Sequence, residues 1–378
     1  MEPTPQWSGL PLSLVGGIRV PISKRPPLQR REVLRDGTTG CAPETQRATR
    51  ICCATLAIGT AAAKKRQVPR RAARQGLEPS MFSPPSREGV PEAKLEVLGG
   101  AATSGKTKPV TILFIHGSYH AAWCWEPYFL PYFRERGFNS YALSLRGQGQ
   151  GSVAVEEALP VAGTLETHAA DVAAYAAALH GQHGQPVVVV GHSFGGLIVQ
   201  RAVFDLCSSQ PSVIGGMALL SSVPPTGLSG GVWRVLMSDP GLAFNITWGF
   251  VTRAFERDNR LCRQLFFDDD MENTQVGQYA SQMKGSSPPG TRLLDLRELQ
   301  NSLPVPAARK VPVLVLGGTD DKIVDVQAMK ETSEMHSAEL ELLDGLPHDA
   351  MLCTQWEASA KAIASWMMEL LSGSGSED

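Results

Sequence analysis

Gly191-His192-Ser193-Phe194-Gly195 combines a hydroxyl nucleophile with flanking glycines. An apolar run over 187–190 precedes it and a helix-like stretch over 196–203 follows. This is the G-x-S-x-G pattern in a strand, sharp turn and helix setting, which lifts a serine hydroxyl clear of a sheet edge. Glycines suit such a turn because its backbone is strained and its neighbours crowd any Cβ. A serine hydroxyl is a weak nucleophile at neutral pH. It needs a base within hydrogen-bond reach, and the base needs an orienting acid. His348, in Gly345-Leu346-Pro347-His348-Asp349, is placed to be the base, and Asp320 and Asp321 are both placed to be the acid.

To meet, these residues must leave the ends of successive strands. Buried-strand patterns fall at 94–98, 110–115, 140–143, 186–190, 214–220, 311–316 and 338–343. Helical patterns fall between them at 165–179 and 326–335, and a closing helix at 355–371. That alternation predicts an α/β fold with a mainly parallel sheet flanked by helices. Parallel sheets carry functional residues beyond the carboxyl ends of their strands, which is where His116, Ser193, Asp321 and His348 fall. The rhythm stops at 224–309. There, helical stretches at 241–263, 271–283 and 293–301 and seven aromatic residues between Trp233 and Phe267 predict a helical cap inserted between strands 214–220 and 311–316.

The expected organisation is therefore a separate leader at 1–90, a core at 91–223 and 310–371, the cap at 224–309 and a Ser/Gly/acidic tail at 372–378. Residues 1–90 hold 15 Lys/Arg against 6 Asp/Glu, while 91–378 hold 20 against 31. The acidic excess of the second part argues against a nucleic-acid surface there. The Arg-rich, acid-poor leader matches an organelle transit peptide, and Arg50-Ile51-Cys52-Cys53-Ala54 resembles a plastid cleavage pattern. A plain tail in a cytoplasmic protein and a basic nuclear address at 64–74 are the alternatives. No run of about 18 apolar residues predicts a transmembrane helix. The seven cysteines form no C-x-x-C pair or zinc-like cluster, so reduced thiols and no metal site are expected.

From about 110 to 370 the chain resembles the α/β-hydrolase superfamily. The pieces that carry the resemblance are His116-Gly117, Arg146-Gly147-x-Gly149, the 191–195 turn, Gly318-Thr319-Asp320-Asp321-Lys322-Ile323-Val324 and 345–352. It implies Ser193 as nucleophile, His348 as base and Asp321, two residues before the isoleucine, as acid, in the chain order of that fold. It implies an oxyanion hole from the backbone N–H groups of Phe194 and Ser118, and a structural His116. Ser144 and Gln148 stand where the superfamily usually has an acid and a histidine. The stretch 115–125 also resembles plant methylesterases and hydroxynitrile lyases, but Asp349 stands where the lyases carry lysine.

The expected activity is hydrolysis of a carboxylic ester, without cofactor, on a small-molecule or lipid-like substrate. His120, Trp123, His192 and Trp248 are candidate pocket residues. An aromatic cap face would favour a lipophilic substrate or a peripheral membrane contact. A hormone-receptor-like protein with slow hydrolysis, or an acyltransferase, would need the same residues.

Overall fold

The apolar runs of the central strands are buried on both faces, so their side chains split into two cores by simple alternation. Ile112, Phe114, Val188, Val190, Leu314 and Leu316 point into one core, and Leu113, Ile115, Val187, Val189, Val313 and Val315 into the other. The computed structural model describes residues 78–150, 152–153, 160–294 and 311–373. Among them are strands β1 (Ser80–Phe82), β2 (Ala93–Gly100), β3 (Thr111–Ile115), β4 (Asn139–Leu143), β5 (Ser152–Val153), β6 (Val187–His192), β7 (Ile214–Leu220), β8 (Val313–Gly318) and β9 (Glu339–Leu343). They form one sheet in the order β1-β2-β4-β3-β6-β7-β8-β9, with β5 beside β2. Pairing is parallel from β4 through β9 and antiparallel around β2.

Helices α1 (Phe129–Glu135) and α9 (Trp356–Gly373) cover the first face; α2 (Leu165–His183), α3 (Phe194–Ser209) and α8 (Val326–His336) cover the second. Phe114 anchors the first face, with the rings of Trp125, Phe129 and Phe133 at 4.9, 5.8 and 5.5 Å. Burying each such side chain stabilises the fold by about 1.5–3 kcal/mol. Thr164 caps α2 by accepting from the Thr167 N–H, and Asp325 caps α8 by accepting from the Ala328 N–H.

Between β7 and β8 run α4 (Ser229–Ser238), α5 (Pro240–Thr252), α6 (Asn259–Phe266) and α7 (Asn273–Gly285). The sequence pattern misses α4 and joins α5 to α6. Arg253, with φ of 54°, takes the left-handed conformation that ends α5, and Asp258 starts α6 afresh by accepting from the Arg260 and Leu261 N–H groups. The expected helix at 293–301 lies outside the described residues from 295 onward.

Two boundaries are corrected. A leader reaching residue 90 is inconsistent with β1, which pairs with β2, and with Arg87, whose guanidinium bonds the buried carboxylate of Asp171. The expected tail from 372 begins too early, because α9 continues to Gly373. The rest of the expected leader, residues 1–77, and residues 374–378 lie outside the described residues.

Candidate active site

Ser193 sits between β6 and α3 with φ of 53° and ψ of −124°, a strained backbone for a residue with a Cβ. The turn closes only because its neighbours are glycine. A Cβ on Gly195 would lie 2.2 Å from the His116 carbonyl oxygen, and one on Gly196 would lie 2.1 Å from Ser222 Oγ. The Ser193 carbonyl accepts from the Gly196 and Val223 N–H groups, which fixes the turn from both sides. Phe194 opens α3, so its N–H belongs to the first turn, where no intrahelical acceptor exists and the helix dipole favours negative charge.

The loops after β8 and β9 bring the other two groups. Asp321 is buried, and its Oδ1 accepts from the Ile323 and Val324 N–H groups at 2.8 and 2.9 Å. Its two oxygens face His348 Nδ1 at 3.0 and 2.9 Å. His348 Nε2 lies 3.1 Å from Ser193 Oγ. The neighbouring Asp320 is exposed. The carboxylate that faces His348 is thus Asp321, the acid that the resemblance implies. Burial by itself would lower the His348 pKa. The charge and hydrogen bond of Asp321, with the charge of Asp349, outweigh burial, and the net shift is upward. Neutral His348 can thus donate from Nδ1 to Asp321 and accept the serine proton at Nε2.

His116 is scaffold. Its Nε2 accepts from the Leu145 N–H at 2.9 Å and its Nδ1 donates to the Gly117 carbonyl at 2.8 Å. Burial, the largest cause, pushes its pKa down to about 3, so the ring is neutral.

An apolar cavity of about 270 Å³ opens beside this edge. Ser118 and Phe194, the expected oxyanion donors, lie in its wall together with Tyr119, Gln148, Ile246 and Phe250. The four expected pocket residues are not in its wall, for reasons of direction. His120 turns inward, with Nε2 2.9 Å from Asp349 Oδ2 and Nδ1 2.9 Å from the Ser118 carbonyl oxygen. His192 Nε2 donates to the His348 carbonyl at 3.0 Å. Trp123 stacks on His120 and donates to Ser286 Oγ at 2.8 Å. Trp248 stacks on Phe244 at the outer surface and is 52% exposed.

Two members of the site escaped sequence reasoning. Gln148 did carry a signal, as a departure from the superfamily's usual histidine. Asp349 carried one too, because it occupies the lyases' lysine position. Its backbone N–H also donates to the Phe266 carbonyl at the end of α6, at 2.9 Å, tying cap to base loop.

His192, His348 and Asp349 each offer a ligand atom within 4.8 Å of the others. Both nitrogens of His348 face Asp321 and Ser193, and His192 Nε2 faces a carbonyl. A metal bound there would have to displace those bonds.

The family model described as "Alpha/beta hydrolase family" matches residues 112–362. The chain belongs to the alpha/beta hydrolase family. Among curated relatives of this chain, mouse protein phosphatase methylesterase 1 is 35% identical over 113 residues, 30% of this chain and 27% of that protein. The human methylesterase is 30% identical over 125 residues, 33% of this chain and 30% of that protein. The chain thus spans less than a third of the length of the curated relatives it matches. Among solved structures, a bacterial membrane phospholipase A covers 77% of this chain and 86% of its own, with a TM-score of 0.52 and 15% identity. An esterase from Rhodococcus sp. ECU1013 covers 77% and 99%, with a TM-score of 0.50 and 19% identity. At such identities these two matches establish the fold alone.

Proposed function

We propose that this hydrolase cleaves a carboxylic ester with a lipophilic acyl or alcohol group, through an acyl-enzyme on Ser193. The observation that carries the reading is the line Ser193 Oγ, His348 Nε2 and Nδ1, Asp321, at 3.1 and 2.9 Å, set beside an apolar cavity. Ser193 Oγ attacks the ester carbonyl as its proton passes to His348 Nε2. The oxyanion takes hydrogen bonds from the Ser118 and Phe194 backbone N–H groups, rigid donors that need no reorganisation as charge builds. His348 returns the proton to the leaving alkoxide. Water then attacks the acyl-enzyme as one of its protons passes to His348 Nε2, and His348 passes that proton to Ser193 Oγ as the acyl–oxygen bond breaks and the acid leaves. Asp321 holds the imidazole tautomer and stabilises the imidazolium. The scheme needs no metal or organic cofactor. The aliphatic lining around Ile246 and Val235 suits hydrocarbon, and Gln148 and Arg292 are among the polar wall residues that would orient an ester or its acid product.

The test is labelling with a fluorophosphonate probe, followed by turnover of p-nitrophenyl esters of rising chain length, methyl esters included. Wild type labels and turns over medium-chain esters, while Ser193→Ala does neither. An unlabelled Ser193 would sink the reading. Labelling with negligible turnover of every ester would point to a receptor, and turnover only with added alcohol or amine to an acyltransferase.

As a separate proposal, the basic leader directs the chain to plastids. A fluorescent fusion of residues 1–77 tests it, and a diffuse cytosolic signal refutes it.

A further inference from the structure

Nine large apolar side chains are exposed among the described residues, and seven of them lie on α4 and α5. On α4 they are Val232, Trp233, Leu236 and Met237; on α5 they are Phe244, Trp248 and Val251. The spacing of each set forms a stripe along its helix. Trp233 is 63% exposed and Phe244 64%, and the Phe244 and Trp248 rings stack with planes 9° apart. A patch of this kind marks an interaction surface.

What covers it is decided by the polar groups of the same helices. Arg234 is drawn to Asp325 and Glu331 on the α8 side, at 2.6 and 3.0 Å. Asp239 is occupied in capping α5 through the Leu242 N–H. The hydroxyls of Ser238, Thr247 and Thr252 donate to the backbone carbonyls of Val235, Ala243 and Trp248. The Asn245 amide donates to Gln264. Apart from Ser229 at the start of α4 and the indole N–H groups of Trp233 and Trp248, the polar side chains of the two helices therefore have internal partners. A protein partner would look for about one hydrogen bond per 100–200 Å² of interface, and this face has little to give. Hydrocarbon asks for none, and tryptophans are favoured at the headgroup boundary.

The face is also continuous with the cavity. Val232 and Val251 are 58% and 70% exposed, yet both are in the cavity wall. A second protein copy seated there would cover this shared rim. A lipid surface would instead lie against the rim and supply apolar molecules to it.

We infer that the α4–α5 face docks on a neutral lipid bilayer and sets the cavity rim at the headgroup boundary. Docking itself is independent of the ester-hydrolase reading; only its use, delivery of a lipid ester to Ser193, rests on that reading. Among the described residues of α4 and α5 the cation is Arg234, and it is paired with Asp325 and Glu331, which makes the attraction apolar, insensitive to salt and indifferent to anionic lipid. That separates it from the basic stretch within 1–90, whose pull would need anionic lipid and would fade in salt.

The experiment is cosedimentation of the full chain with phosphatidylcholine vesicles in about 0.5 M salt, with tryptophan emission read alongside. Wild type and Ser193→Ala are expected to pellet equally and to show a blue shift. Trp233→Ser/Trp248→Ser, at positions outside the cavity wall, should lower the partition coefficient about tenfold or more. The same variant should keep wild-type turnover of a water-soluble short ester, which verifies its fold. Met368→Ser, an exposed apolar site on α9, should change nothing. Wild type that stays in the supernatant overturns the inference, as does pelleting that survives the double substitution. A dimer in solution that the double substitution splits, without vesicle binding, assigns the face to a second copy and overturns it too. Vesicle binding with an unlabelled Ser193 would keep the docking and remove the hydrolase reading.

Discussion

Asp321 and Asp349 each hold a histidine nitrogen at 2.9 Å, within the same buried layer at the sheet edge. The third member of each group differs. The free nitrogen of His348 faces the Ser193 hydroxyl, which can donate a proton. The second nitrogen of His120 faces the Ser118 carbonyl, which can only accept. Burial would raise the Asp349 pKa, but the charge and hydrogen bond of His120, with His192 and His348, hold it below the usual carboxylate range. The two atoms that face the His120 ring, Asp349 Oδ2 and the Ser118 carbonyl oxygen, offer it no hydroxyl to deprotonate. One aspartate–histidine pair is therefore arranged as a base. The other is a buried hydrogen-bonded strut that joins the residue after His348 to the loop of Ser118. An acid beside an imidazole does not make a base; the atom on the far side of the ring does.

The sharpest way to break this comparison is to remove each acid. On the proposed mechanism, Asp321→Asn is expected to lower kcat about ten-thousand-fold through the wrong tautomer, with little change in stability. Its pH profile should move as well. His348 works only when neutral, and its raised pKa puts the rising limb of kcat/KM above the ordinary imidazole value of about 6.5. Without the Asp321 charge, burial pulls that limb downward. A limb that stays in place would mean that another group titrates.

Asp349→Asn should reverse the pattern. It weakens the buried hydrogen bond to His120 Nε2, at a cost of about 1–3 kcal/mol, read as a lower denaturation midpoint. Replacing His120 and Asp349 together with apolar residues should recover most of that loss. An unchanged midpoint in Asp349→Asn would end the strut reading.

Gly195→Ala is expected to cost about 1–3 kcal/mol and to displace Ser193, because the new Cβ strikes the backbone oxygen of His116. Arg234→Ala should cost less than about 1 kcal/mol, since Arg234 and Asp325 are 32% and 30% exposed and solvent screens the pair.

Acid stability tests the buried neutral histidines. His116 and His192 are held to about 3 and His168 to about 4, with burial the largest cause for each. The unfolded chain takes up these protons near 6.5, the folded chain far lower, so stability falls as pH drops through that interval. Urea midpoints at about pH 7 and pH 5 measure it.

Ser193, His348 and the neighbourhood of Asp321 were legible as a group because the proposed roles each call for a residue type at a strand end. Strand ends alone left Asp320 and Asp321 open and the resemblance pointed to Asp321; the structure adds that the Asp321 carboxylate turns inward to the Ile323 and Val324 N–H groups. The His120–Asp349 pair was not legible, because 229 residues separate its members. Helix α4 was missed because Gly230 and Gly231 weaken its propensity and none of its residues is buried, so no core-facing stripe shows in the pattern. Trp248 was misplaced by composition. Residues two apart on a helix face opposite sides, so Ile246 and Phe250 reach the cavity while Phe244 and Trp248 reach the outside.

The bond from Asp349 N–H to the Phe266 carbonyl sets a rule for redesign. A new substrate range is best sought on the inner side of α4 and α5, at Val235, Ala243 and Ile246, where exchange leaves the base loop alone. The end of α6 is a poor place to begin, because moving that carbonyl shifts the anchor of the residue next to His348 and retunes the proton transfer along with the specificity.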